Sequence, residues 1–376
     1  MSANDNSQNI KRQENLAQLM GSTGLDALIL NAGTSLSYLT GLHFHLSERP
    51  VIGIFTSANS PVIILPELEA AKVLEAAYPL HAVTYTEDPL QWQAAFDEGV
   101  KLAGLGKSKI GVEDRSFRFL ELRLLEACLP DSEFHNAVDI TAKIRMYKDD
   151  IEQDHLQKAV DIAQTALAET LPLIKIGMSE QEVAAELVLQ LFRHGSDTTL
   201  PFQPIVSSGP NGANPHAVPS TYKLKAGELL VIDWGACWHG YFSDLTRTFA
   251  LAEYSQEQVA THETVQKANA AAQAAVGPNV TCSQVDLAAR QVIMDAGYGE
   301  YFIHRTGHGL GLEVHEEPYI RAGNTMPLEA GMTFTIEPGI YLSGKHGVRI
   351  EDDVVVTADG ICCFSNFERG LKVIGG

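Results

Sequence analysis

Cysteine, basic residues and long apolar runs are all scarce in this chain of 376 residues. The five cysteines, Cys128, Cys237, Cys282, Cys362 and Cys363, are odd in number and form no C-x-x-C pair. That pattern argues against a disulfide framework and for a reducing compartment. No uncharged stretch is long enough to span a bilayer, and residues 1–16 are polar, with no apolar core of a secretory signal. The expectation is a cytoplasmic protein with no membrane partner. Lys plus Arg number 27 against 47 for Asp plus Glu, a net charge of −20. Such a surface repels phosphate backbones and anionic lipid, which removes nucleic acid from the expected partners. No repeat of roughly 20–50 residues and no low-complexity tract is present either.

What is present is enough apolar material, 45% of the residues, for two ordinary cores, since single domains run to roughly 100–200 residues. Strand-length apolar runs at 27–31, 51–56, 61–65 and 109–112 alternate with helical spacing at 10–20, 67–77, 90–102 and 117–128. This alternation predicts a small α/β domain. The composition changes after Asp139, and a charged, Ala-rich helix is expected over 150–173. The boundary therefore falls near residues 142–148, giving domains 1–142 and 143–376. Ser179 and Glu182 have the spacing of a capping box and should open a helix that runs to about Phe192. Further helices are expected over 257–275 and 283–295, the second stopped by Gly297-Tyr298-Gly299.

Five side chains in the last third could hold metal: Asp233, Asp244, His308, Glu337 and Glu351. Oxygen-rich ligands of this kind suit manganese, cobalt or iron as readily as zinc, and two metals sharing carboxylates serve hydrolysis. Asp233 ends the apolar run 229–232, where an unpaired charge is costly to bury. It faces Asp244 across a hairpin signal. A turn centred on Trp238 and His239 would set the two aspartates directly opposite each other on one side of the sheet. Glu337 and Glu351 likewise follow apolar alternation, and a loop symmetric about Gly344 would pair them unless Pro338-Gly339 introduces a bulge. His304, His308 and His315 lie in a Gly-rich segment that disfavours helix and allows close backbone approach. Asp352 and Asp353 read as strand-edge or supporting groups.

Taken in order, HAVP at His216, VIDWGA at Asp233, SDLTRTF at Asp244, HRTGHGLGLEVHEEP from His304, FTIEPGIY at Glu337 and GVRIEDDVVVT at Glu351 resemble the pita-bread metallopeptidases, and within them the Xaa-Pro peptidases, prolidase and aminopeptidase P. The resemblance implies an α/β N-terminal domain of the creatinase/prolidase type, serving dimerisation and cleft capping, and an α+β pita-bread catalytic domain. It implies two divalent ions, manganese first and cobalt, zinc or iron after it. Asp233 would chelate one ion, Asp244 and Glu351 would bridge, and His308 with Glu337 would complete the other. A hydroxide held by the ions would attack the carbonyl of the imide bond before proline, with Glu337 as proton shuttle. His216, His304 and His315 would surround the substrate and Arg349 would support the ligands.

In archaeal-type prolidases an arginine that can meet the dipeptide carboxylate often follows the H-E-x-P segment. Here that place holds Tyr319, with Arg321 two residues later. Tyr319 and Arg49 are thus candidate substrate contacts, Arg49 from an N-terminal loop that, in family dimers, reaches over the neighbouring subunit's site. The leading expectation is a homodimeric prolidase acting on small peptides with proline in second position. The alternatives are an aminopeptidase P acting on longer peptides and a pita-bread binding protein without catalysis.

Overall fold

The computed structural model describes residues 3–376 except Glu75 and Ala77. The chain divides into two compact units, Met1–Arg145 and Met146–Gly376. The limit expected after residue 142 falls inside the last helix of the first unit.

The first unit runs α1 (Ala3–Thr23), β1 (Ala27–Asn31), α2 (Thr34–Thr40), β2 (Ile52–Thr56), β3 (Val62–Pro66), α3 (Ala70–Val73), β4 (His81–Tyr85), α4 (Trp92–Leu102), β5 (Lys109–Val112), α5 (Phe119–Cys128), β6 (Glu133–Asn136) and α6 (Val138–Met146). Its six strands form one sheet in the order β4-β3-β2-β1-β5-β6. The pairs β1–β2 and β2–β3 are antiparallel and the others parallel. Ile29, Ile54, Ile64, Phe96 and Leu125 belong to the core that α4 and α5 close. The apolar runs become the central strands, buried as continuous hydrophobic runs must be. The edge strands β4 and β6 are mostly exposed, with Val83 and Tyr85 of β4 turned into the core, too short a pattern to be read from sequence. The helix expected over 67–77 is a 3-10 turn at Glu67–Glu69 followed by α3, and Glu75 and Ala77 lie outside the described residues.

In the second unit come α7 (Asp150–Thr170), α8 (Glu180–Arg193), β7 (Ile205–Ser208), β8 (Leu229–Trp234), β9 (Cys237–Trp238), β10 (Tyr241–Phe242), β11 (Leu245–Leu251), α9 (Gln256–Ala275) and α10 (Cys282–Asp295). They are followed by β12 (Gly307–Gly309), β13 (Glu316–Ile320), β14 (Thr333–Ile336), β15 (Gly339–Leu342), β16 (His346–Arg349), β17 (Asp352–Thr357), β18 (Gly360–Cys363) and β19 (Val373–Ile374). Each of the four helices begins with a reciprocal capping box, at Asp149, Ser179, Ser255 and Thr281, which satisfies the orphan N–H groups of its first turn.

The strands build a four-stranded sheet, β19-β11-β8-β7, and a five-stranded sheet, β13-β12-β14-β17-β18. Helices α7 and α8 pack on the first, where buried Trp234 donates its indole N–H to Ala163 O at 2.8 Å. On the second, Asn269 of α9 donates to Ile336 O and to Asp352 Oδ2, at 3.0 and 3.1 Å. The sheets meet at one bridge, Thr246 to Glu351. The candidate site is built around that meeting line.

Candidate metal centre and cleft

Strand β8 buries all six of its side chains, and Asp233 is the one acid among them. The β8–β11 ladder pairs Asp233 with Thr246 and Trp234 with Leu245. The direct opposition of Asp233 and Asp244 is therefore corrected to a diagonal on the same face. The reason lies in the turn: His239 and Gly240 both have positive φ, 53° and 80°, the requirement of a two-residue type I′ hairpin. This places the turn centre one residue later than Trp238–His239. Between ladders the strands pinch so closely that a Cβ on Gly235 would overlap Ser243 O. Asp244 leaves this pinch with its N–H donated to Asp353 Oδ2 at 2.9 Å.

His308 is the middle residue of β12. A Cβ on Gly307 would overlap Thr335 O, and one on Gly309 would overlap Glu317 O. The glycines thus let this strand fit between β13 and β14. The ring Nδ1 of His308 faces Gly309 O at 3.2 Å, while Nε2 points at Glu337 Oε1, 3.4 Å away, and Asp244 Oδ2, 3.7 Å away. With Nδ1 as donor, Nε2 presents a lone pair toward the carboxylates.

Glu337 and Glu351 flank an interruption in one long hairpin. Ile336 pairs with Asp352 on one side and Gly339 with Arg349 on the other, so the register about Gly344 holds and the glutamates occupy opposed positions. They do not pair. Glu337 N–H goes to Thr306 O at 2.7 Å, and Glu351 N–H crosses to Thr246 O at 3.1 Å. Pro338, which has no N–H to give, sits at the opening.

Asp233, Asp244, His308, Glu337 and Glu351 all line one cleft of about 610 Å³. Donor atoms of Asp244, His308 and Glu351 lie within 4.8 Å of one another. Burial and then mutual repulsion push the carboxyl groups of Asp244 and Glu351 well above their usual range. Burial also raises Asp233, against the pull of Arg349, and brings Glu337 to about 7. Desolvation, with His315 and Arg305 beside it, lowers His308 well below the usual imidazole range against the backbone hydrogen bonds of Gly309 and Val314. The Oδ1 atoms of Asp233 and Asp353 are buried without a hydrogen-bond partner. Acids so crowded need protons or cations between them.

Arg349 ties these side chains together. Its guanidinium donates to Asp233 Oδ2 at 2.5 Å, to Tyr341 OH at 2.9 Å and to Thr246 Oγ1 at 3.0 Å. Thr246 in turn donates to Glu351 Oε2 at 2.6 Å. His304 is held in the same network, Nε2 to Tyr341 OH at 2.8 Å and Nδ1 to Arg305 O at 2.7 Å. His216 and His315 line the cleft with exposed rings, and His315 packs edge-on against His308 at 4.2 Å between centroids.

Two candidates lie elsewhere. Tyr319 stands beside the cleft with its ring under Arg305, and Arg49, in the first unit, pairs with Glu87 and Glu48 at 2.9 and 2.7 Å. Asp352 is buried in pairs with Arg247 and Arg369. Sequence reasoning missed Tyr341, Thr246 and Arg305. Arg305 sits inside the quoted histidine segment, which was a usable signal; Tyr341 and Thr246 look like ordinary strand residues.

The sequence pattern of metallopeptidase family M24 matches residues 154–358, and that of the Creatinase/Prolidase N-terminal domain matches residues 12–147. The Xaa-Pro dipeptidase of Lactobacillus delbrueckii subsp. lactis is 35% identical over 96% of this chain and 98% of its own. Among solved structures, dipeptidase PepE from Mycobacterium ulcerans superposes with a TM-score of 0.91 at 37% identity, covering 98% of this chain and 99% of the other. Prolidase from Thermococcus sibiricus gives 0.91 at 34% identity, covering 97% and 98%.

Proposed function

Because this chain belongs to metallopeptidase family M24, with a Creatinase/Prolidase N-terminal domain ahead of a pita-bread catalytic domain, we propose that it hydrolyses the imide bond before proline in Xaa-Pro dipeptides. The observation that carries this reading is the convergence of three buried carboxylates, the partly buried Glu337 and one neutral imidazole in a single cleft. Such a donor set fits divalent cations, and the unpartnered Asp233 Oδ1 is an oxygen still free to ligate. Two ions, manganese first, would be held by Asp233, Asp244, His308, Glu337 and Glu351.

When bound, the cations supply Lewis acidity toward the scissile carbonyl and the attacking water. Glu337 accepts the proton of that water and returns it to the leaving imide nitrogen. His315 and His216 present their rings to the substrate, and His315 donates to the developing oxyanion. His304 is anchored by Tyr341 and borders the substrate from a fixed position. An Xaa-Pro bond has no N–H to grip, and the apolar wall of Phe202, Ile205 and Val218 offers the pyrrolidine ring a surface instead.

A homodimer with dimer contacts and cleft capping supplied by the N-terminal domain, Arg49 included, belongs to the same reading. So does a cytoplasmic location, supported by five free thiols and a net charge of −20. Among the described residues no helix is long and apolar enough to cross a membrane. Aminopeptidase P activity on longer peptides is the second reading, favoured by Tyr319 in place of an arginine.

The test is proline release by manganese-loaded protein from Xaa-Pro, compared with cleavage of Xaa-Pro-Yaa and longer peptides. Preference for the dipeptide supports the first reading and preference for longer peptides the second. Cleavage of neither, with no manganese retained, would leave only the non-catalytic alternative.

A further inference from the structure

Two guanidinium groups face the cleft, and one of them lacks an acidic partner. Arg349 is neutralised by Asp233. Arg305 lines the same cleft, yet among the described residues its side chain takes part in no ion pair and no hydrogen bond. Its contact is a stack: the guanidinium carbon lies 4.6 Å from the centroid of the Tyr319 ring. Ring stacking leaves the N–H donors at the guanidinium edge free, and their planar fork matches a carboxylate.

The placement selects which carboxylate. Arg305 follows His304 directly and precedes His308 by three residues. Its charge is felt by His308, His315 and Glu337, so it stands close to the reacting centre. In an Xaa-Pro dipeptide the terminal carboxyl carbon is two bonds from the leaving nitrogen, so a group that binds this anion must sit beside the group that protonates that nitrogen. Glu337 holds that role in the function proposed above, on which this inference rests. We propose that Arg305, steadied by Tyr319, binds the free C-terminal carboxylate of the substrate proline and thereby selects dipeptides. The tyrosine that replaces an arginine after the H-E-x-P segment is on this view a positioning residue, holding a different arginine in the cleft. A tripeptide presents an amide at that point and leaves Arg305 without its anion.

The experiment compares alanyl-proline with alanyl-prolinamide on the manganese-loaded full chain. The wild type should prefer the free acid by about 10- to 100-fold in kcat/KM, the range of a charge-assisted pair. In Arg305→Gln the preference should collapse toward unity through a raised KM for the acid. Tyr319→Leu should raise that KM with kcat retained, and Tyr319→Phe, which keeps the ring, should restore it. A preference that survives Arg305→Gln, or a loss confined to substrates with an acidic residue before proline, overturns the proposal.

Calorimetric binding of L-proline against L-prolinamide to the same proteins separates the two levels. Hydrolysis by the wild type with no Arg305-dependent discrimination sinks the carboxylate site and leaves the peptidase reading intact. Arg305-dependent discrimination without hydrolysis supports the carboxylate site and removes the peptidase reading.

Discussion

Removing the Arg349 guanidinium would strip Asp233 of its counter-charge and free both Tyr341 and Thr246. Groups that orient ligands in this way typically contribute about 10–100-fold to metal affinity or activity. Arg349→Met should therefore weaken manganese binding by that order, read by metal titration, while the far-ultraviolet spectrum stays native. Asp244→Ala and Glu351→Ala should lose metal retention and proline release together, since each removes a shared carboxylate; activity surviving in metal-free variants would contradict their role.

His262 gives a stability prediction. Its ring is buried, with Nε2 unpartnered, and burial followed by the Arg247 charge lowers it to about 4 from 6.5. The unfolded chain binds that proton more readily than the folded one. Stability is therefore fully present above pH 6.5 and is lost as pH falls toward 4. The loss is on the order of 3 kcal/mol, and His262→Gln should flatten this part of the stability profile in denaturant titrations. The acids that line the cleft were legible one by one, because an acid ending an apolar run asks for a cation. Tyr341 and Thr246 were not, because a tyrosine or threonine in a strand is equally at home as packing.

Lys148 and Glu316 form a buried ion pair that closes the base of the loop carrying His315, with Gly311 pressed against both side chains. Breaking one member of a buried pair costs about 3–5 kcal/mol. Lys148→Met should be destabilised by that amount in chemical denaturation, and Lys148→Met with Glu316→Leu by clearly less, since no lone charge remains. The Ser179 capping box and the buried strands were readable because each leaves a local mark, an S-x-x-E spacing or an apolar run. The β8–β11 register was readable only in its face, since a shift of the turn by one residue moves the pairing by two and preserves the alternation. The edge strands β4 and β6 are short and mostly exposed, with Val83 and Tyr85 of β4 turned into the core, and left too little apolar sequence to be read.

The two sheets of the second unit are joined at their shared line by residues that also hold the cleft together, so cation binding and folding are linked. A cation that binds only the folded chain adds about 4 kcal/mol when free metal exceeds Kd roughly a thousandfold. Chelation should lower the melting temperature by roughly 8–16 °C, and manganese should restore it. An unchanged melting temperature would mean that no cation occupies the folded cleft at that concentration. The division into an α/β unit and a larger unit was legible from the change in composition after Asp139. The relation between the two sheets was not, since it rests on contacts between residues far apart in sequence, the bridge of Thr246 to Glu351, the Asp244 N–H to Asp353 and the Arg247–Asp352 pair among them.

That bridge also sets a timetable for synthesis. Asp233 and Asp244 emerge from the ribosome more than a hundred residues before Glu351, and although His308 and Glu337 join them earlier, the donor set stays short of a carboxylate until Glu351 arrives. A nascent chain halted at residue 340 would carry four of the five donors and lack the strand that draws the halves together. On the proposed ligand set, cation binding belongs to the finished polypeptide, and a nonsense mutation anywhere before codon 351 should yield a protein that added divalent cation does not rescue.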